Sequence, residues 1–114
     1  MKVSVIIPVL NESERIGSVL TALAAVAEDI PYEVIVVDGD PAGGTLSAIP
    51  AERAVTMTAP KGRARQMNAG AARAAGDILL FLHADTRLPP AALPRIIAAL
   101  QDGRLAGGAF DLGI

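Results

Sequence analysis

Two side chains able to hold a metal or a nucleotide, His83 and Asp85, directly follow a run of five large apolar residues, Ile78 to Leu82. A carboxylate in that position suits Mg2+ or Mn2+, which bind one or two carboxylates together with phosphate oxygens and water. The run has the length of a buried strand covered on both faces, where polar and apolar positions need not alternate. In open α/β sheets ligands gather outside the carboxyl ends of the strands, so Asp85 falls where substrate and metal are expected. The plain alternative is that Asp85 and Thr86 open the turn before Pro89. His83 is either a second ligand or nucleotide contact, or a packed, hydrogen-bonded side chain. One histidine and no cysteine argue against a protein-only zinc cage.

Two further carboxylates close strand-like segments: Glu12 just past Val3 to Val9, and Asp38 after Tyr32 to Val37. Right-handed crossovers point consecutive parallel strands the same way, so Glu12, Asp38 and Asp85 are expected on one side of the sheet. Taken singly, Glu12 also serves as a first-turn helix residue and Asp38 as a turn former. A second group is basic. Lys61, Arg63, Arg65 and Arg73 lie between Pro60 and Gly76 with no acidic residue among them. Lys61 and Arg65 are four apart, and Arg65 and Asn68 three apart, which places them near one face at the amino end of a helix, where an anion is favoured. Solvation of an exposed helix is the competing explanation. Carboxylates, cations and a metal ligand together describe a diphosphate site.

These groups need a scaffold of alternating strands and helices. Val3 to Val9 reads as a first strand. Lys2 before it is not the start of a secretory signal, because the apolar stretch is short, contains Pro8 and meets no cleavage pattern. Asn11 and Glu14 have the spacing of a helix-start capping box. A helix follows with Ile16, Val19, Leu20, Leu23, Val26 and Ala27 on its apolar face and Glu14, Arg15 and Ser18 in solvent. Pro31 ends it. After a second strand, residues 40–45 form a loop with only a short helix before Pro50, then a weak third strand over 54–58. Residues 62–75 are expected to be helical, with Ala64, Met67, Ala71, Ala74 and Ala75 as the apolar stripe. A fourth strand spans Ile78 to Leu82, a helix opens at Pro90 with Leu93, Ile96, Ile97 and Leu100 on its apolar face, and a last strand covers residues 105–112. No repeat or linker interrupts the pattern, so residues 1–114 read as one α/β unit.

Composition narrows the function classes. With 114 residues the chain builds one modest core. Aromatic residues make up only 3%, which argues against stacking on single-stranded nucleic acid. A net charge of −2 gives no general pull on polyanions, so an anionic ligand has to be held locally or through a metal. The absence of cysteine excludes disulfides and thiol nucleophiles and fits a reducing cytoplasm. No stretch approaches the roughly 20 apolar residues that span a bilayer.

Three segments carry a resemblance: Ser4-Val-Ile-Ile-Pro-Val-Leu-Asn-Glu12, Val36-Val-Asp-Gly39, and the run from Asn68 to Asp85 that ends Leu-His-Ala-Asp. In that order they resemble the nucleotide half of glycosyltransferase family 2, and most closely a small bacterial branch whose metal motif reads His-Ala-Asp. The resemblance implies a GT-A fold, with a Rossmann-like three-layer α/β nucleotide-binding half and a mostly parallel sheet. It implies that Pro8, Leu10 and Glu12 line the base and ribose pocket, that Asp38 contacts base or ribose, that Arg65 approaches the nucleotide, and that Asp85 holds a divalent Mg2+ or Mn2+. The family's Asp-x-Asp is His83-Ala84-Asp85 here. In its Asp-Gly-Ser-x-Asp-Gly-Thr loop, Pro41 and Gly43 replace the serine and second aspartate, a change expected to weaken loop ordering.

The implied activity is transfer of a sugar from a nucleotide-diphosphate donor to an acceptor, with inversion. The catalytic base and acceptor site of the family lie in a half beyond these residues, and Asp111 has no spacing argument for that role. The chain is therefore expected to be the donor and metal portion of a longer enzyme or a truncated product, and to self-associate through exposed apolar surface. A sugar-nucleotide nucleotidyltransferase and a non-enzymatic nucleotide-binding or assembly module are the rival readings. The former usually shows a Gly-rich basic turn where this chain has Leu10 to Glu14.

Overall fold

The computed structural model describes residues 2–26, 31–82 and 109–111. Five strands, β1 (Val3–Val9), β2 (Tyr32–Asp38), β3 (Val55–Thr58), β4 (Ile78–Phe81) and β5 (Ala109–Asp111), form one sheet in the order β3-β2-β1-β4-β5. Every pairing is parallel. The helices α1 (Ile16–Val26) and α2 (Arg63–Arg73) connect β1 to β2 and β3 to β4, and a single 3-10 turn, Leu46–Ala48, lies between β2 and β3. Among the described residues no helix is long and apolar enough to cross a membrane. The expected helix opening at Pro90 lies outside the described residues.

Successive side chains of a strand point to opposite faces, and the two faces receive different helices. Val3, Val5, Ile7 and Val9 of β1 pack with Val34 and Val36 of β2 and with Ile16, Val19, Leu20 and Leu23 of α1. Ile6, Ile35 and Val37 face the other way and meet Ala69 and Ala71 of α2 and Ala74 just past its end. This is the three-layer arrangement expected of a parallel sheet covered on both sides. The apolar face read for α1 is buried as far as Leu23; Ala27 and the Val26 side chain lie outside what is described.

The start of α1 differs from the expectation. Asn11 sits in the left-handed region at φ 54, not the extended conformation of an N-cap, so it cannot close a capping box with Glu14. Asparagine tolerates that conformation better than most residues. The first turn opens one residue later, where the Glu12 carbonyl accepts from the backbone N–H groups of Arg15 at 2.9 Å and Ile16 at 3.0 Å.

The expected alanine stripe of α2 holds in part, since Ala71 and Ala74 pack on the sheet, but it is not the most buried line of the helix. Ala64 and Ala75 are exposed, and the buried positions are Gln66 and Gly70. A Cβ at Gly70 would stand 2.5 Å from Ile6 Cγ2 and 3.1 Å from Val37 Cγ2. The missing side chain is therefore what lets the helix backbone reach the sheet.

A polar clasp closes the amino end of the sheet. The Ser4 hydroxyl donates to Glu33 Oε2 at 2.6 Å and accepts from the Gly76 N–H at 2.8 Å, while the Ala75 N–H donates to the same Glu33 oxygen at 2.6 Å. Lys2 N–H donates to Asp77 Oδ2 at 3.0 Å, and Asp77 N–H returns to the Lys2 carbonyl at 2.8 Å. The turn from α2 into β4 is thereby tied to β1. The Ser4 hydrogen bond, helped by the Ala75 N–H and by Lys2 and Arg73, holds the Glu33 carboxyl below its ordinary 4.5 against the opposing effect of burial.

Two outcomes follow. Gly70→Ala gains about 0.5–1 kcal/mol of helix propensity but overpacks Ile6 at a cost of about 1–3 kcal/mol, so urea denaturation will show a net loss. Glu33 has a depressed folded pKa, so its stabilisation is present above pH 4.5 and is lost as pH falls through the folded value. Glu33→Gln will be less stable than the parent at neutral pH, and its urea midpoint will fall less between neutral pH and pH 3.

Candidate nucleotide site

In this strand order the chain leaves β1 toward β2 and β3 on one side and returns to β4 on the other, which makes β1/β4 the point where the winding reverses. Crevices for ligands form at such points, outside the carboxyl ends of the strands. β1, β2 and β4 run parallel, so their carboxyl ends share the edge expected from the sequence. His83 and Asp85 lie outside the described residues. Leu82, just before them, continues the pairing of β4 by donating its N–H to the Ile6 carbonyl at 3.0 Å.

Pro8 of β1 and Leu10 just past its end are half-buried near that edge. Beyond them the backbone turns at Asn11 around a cleft of about 410 Å³ lined by residues 10–15. Leu10 and Glu12 are the expected site residues on its wall; Asp38 and Arg65 do not line it. The Glu12 side chain keeps 24% of its surface exposed, and its contact with Arg15, at 3.9 Å with Arg15 66% exposed, is long and solvated. Such a pair contributes little, which leaves the carboxylate available to a hydroxyl donor.

Asp38 ends β2, level with Val9, and is fully buried. Its two carboxylate oxygens accept from the backbone N–H groups of Asp40 at 2.9 Å and Thr45 at 3.2 Å. Asp40 Oδ1 in turn accepts from Ala42 N–H at 3.0 Å. The loop that contains Pro41 and Gly43 is held by hydrogen bonds from its own backbone N–H groups to Asp38 and Asp40. Thr45 carries the order onward: 1% exposed, it accepts the Glu12 N–H on its Oγ1 at 2.9 Å. Asp38, Thr45 and Glu12 therefore form a hydrogen-bonded chain between the loop after β2 and the turn after β1.

The basic group stands at the start of α2. Lys61, Arg65 and Asn68 are exposed. The Gln66 amide Nε2 donates to the carbonyls of Val9 and Val37, both at 2.9 Å, at the carboxyl ends of β1 and β2. The amino end of α2 is therefore at the same sheet edge as Glu12 and Asp38. Sequence reasoning passed over Gln66. Its signal was the row Gly62, Gln66, Gly70, four residues apart, in which two residues without side chains flank the amide on the face that must approach the sheet.

Among the described residues no group of three histidine, cysteine or acidic side chains can hold a metal ion, and both Asp38 oxygens already accept backbone N–H groups. The described side chains thus do not by themselves fit a metal, and Asp85 remains the one expected ligand.

The open parallel sheet, with helices on both faces and polar groups at its carboxyl edge, is a Rossmann-like α/β unit. The chain belongs to glycosyl transferase family 2, whose family model matches residues 4–112. Dolichol-phosphate mannosyltransferase of Pyrococcus furiosus is 32% identical over 109 residues, which is 90% of this chain and 31% of that protein. Undecaprenyl-phosphate 4-deoxy-4-formamido-L-arabinose transferase of Serratia proteamaculans is 30% identical over 112 residues, again 90% of this chain and 34% of the relative. The chain thus spans about a third of the length of these relatives. A crystal structure of glucosyl-3-phosphoglycerate synthase from Mycobacterium tuberculosis with Mn2+, UDP and phosphoglyceric acid superposes with a TM-score of 0.70 at 25% identity, covering 87% of this chain and 38% of that one. Mannosyl-3-phosphoglycerate synthase from Rubrobacter xylanophilus shares the GT-A fold, with a TM-score of 0.72 at 23% identity over 88% of this chain and 36% of that one.

Thr45→Val removes the acceptor of the Glu12 N–H and will cost about 1–2 kcal/mol in chemical denaturation, whereas Thr45→Ser, which keeps the hydroxyl, will lose less.

Proposed function

We propose that this chain supplies the donor-binding part of an inverting glycosyltransferase that takes its sugar from a nucleotide diphosphate. The observation that carries the reading is the shared carboxyl edge of β1, β2 and β4 at the reversal of winding, in a chain of glycosyl transferase family 2. In this reading Pro8 and Leu10 form the apolar wall for the base. The half-buried Glu12 accepts hydrogen bonds from ribose hydroxyls, and Asp38 keeps the loop after β2 and, through Thr45, the Glu12 backbone in place. Lys61 and Arg65 face the diphosphate, with Asn68 and His83 as further nucleotide contacts. Cations at a helix amino end oppose the helix dipole, and a bound anion between them reverses that penalty.

Asp85 is the residue that would hold Mg2+ or Mn2+, and such an ion, when bound, neutralises charge on a departing diphosphate. The Mn2+ and UDP in the mycobacterial structure support that assignment. No residue of this chain is assigned as the base that takes the proton from the acceptor. Residues 1–114 act as a single unit in this proposal. The outer edge of β3, which no strand pairs among the described residues, is open to a further strand and supports self-association.

Calorimetric titration with UDP and with GDP, with and without Mn2+, tests the reading. Binding of one nucleotide is expected to tighten when Mn2+ is present, and Asp85→Ala is expected to abolish that increment. Folded protein that shows no metal-enhanced binding of either nucleotide would overturn it and leave the idle-module reading, to which the fully engaged Asp38 carboxylate lends weight.

A further inference from the structure

We infer that Gln66 is a positioning residue for the nucleotide-binding edge: its buried amide fixes where the amino end of α2, with Lys61 and Arg65, stands over the ends of β1 and β2. The inference rests on the donor-binding reading above. At 5% exposure Gln66 is too buried to present its amide to a ligand, so it acts through the backbone it holds.

The geometry uses the amide fully. Nε2 spends its two hydrogens on the Val9 and Val37 carbonyls at 2.9 Å each, and Oε1 accepts the Gly62 N–H at 3.2 Å. Only this orientation satisfies all three partners, since a carbonyl cannot accept from an oxygen without a proton. The Gln66 backbone N–H also donates to the Gly62 carbonyl at 2.8 Å, so residues 62 and 66 are joined twice. The Gly62 cap receives no side-chain hydrogen bond of the usual kind, and the first turn holds no acidic residue. What stands there is Lys61, Arg63 and Arg65, charges that the helix dipole disfavours at this end. A helix start that carries such repulsion needs a tether, and the Gln66 amide provides one.

No other side chain fills the role. Methionine has the length but no donor, ionised glutamate has no donor, lysine has no acceptor, and asparagine is one carbon shorter. The surroundings are shaped to the amide as well. A Cβ at Gly39 would lie 2.7 Å from Gln66 Oε1 and 3.0 Å from its Cδ, so the glycine after Asp38 leaves the space that the amide occupies.

The test compares UDP and GDP affinity, in the presence of Mn2+, for the parent chain, Gln66→Met, Gly39→Ala and Ser4→Ala, at a temperature where circular dichroism shows each to be folded. Ser4→Ala loosens the opposite edge of the sheet and serves as the control for general destabilisation. Gln66→Met is expected to weaken nucleotide binding about tenfold, Gly39→Ala to weaken it in the same direction by displacing the amide, and Ser4→Ala to change it less than about twofold. Parent-like affinity in folded Gln66→Met, or an equal loss in Ser4→Ala, overturns the inference. If Gln66→Met does not fold, Gly39→Ala decides, and parent-like affinity there overturns it too. Should the parent chain bind neither nucleotide, the donor-binding reading fails on its own. Hydrogen exchange then settles the tether: lost protection at the Gly62 amide in Gly39→Ala supports it, and unchanged protection ends it.

Discussion

Where a parallel strand ends, its ladder stops, and the last carbonyls still have to find donors if they are to stay out of water. In this chain the Val37 carbonyl, one residue before the end of β2, accepts from the Gln66 amide, and the Val9 carbonyl at the end of β1 accepts from both that amide and the Gly39 N–H. That constraint fixes much else. It brings α2 down onto the face of Ile6, Ile35 and Val37, leaves room for a Cβ at Gly39 only if the amide moves, and joins the basic start of the helix to the edge where Glu12 and Asp38 lie.

The loops at this edge are organised by backbone donors more than by pairs of side chains. Asp38 is the clearest case. Its carboxylate works inside its own loop, and through Thr45 it reaches the turn after β1, so a residue expected to touch a ligand first serves to hold two loops together. Among the described residues Glu12, half-buried on the wall of the cleft, has a carboxylate with only a weak partner. Neighbouring acidic residues thus divide the work of holding shape and offering acceptors.

Much of this was legible in the sequence, because strands buried on both faces leave continuous apolar runs. Val3 to Val9 and Tyr32 to Val37 marked β1 and β2 nearly to the residue, and Pro31 and Pro50 marked the breaks. The parallel order and the shared edge followed from alternation of strands and helices. One reading failed and another held only in part, for identifiable reasons. The start of α1 was placed at Asn11 because the residue types fit a capping box, but the backbone takes a left-handed turn there, and spacing carries no record of φ. The alanine stripe of α2 was chosen by hydropathy and holds at Ala71 and Ala74, but the most buried positions of the helix are Gly70 and Gln66. Close approach selects for small volume and matched hydrogen bonds, to which a hydropathy pattern is blind. The clasp of Ser4, Glu33 and Ala75 joins residues far apart in the chain, and no local pattern announces it.

That clasp gives the sheet two rims with separate tasks. The bonds that lock the α2-to-β4 turn onto β1 sit at the far rim from the cleft, so their direct contribution is to the cohesion of the sheet. A lineage, or an engineer, is free to adjust heat tolerance at one end of the molecule while the residues lining the cleft vary at the other.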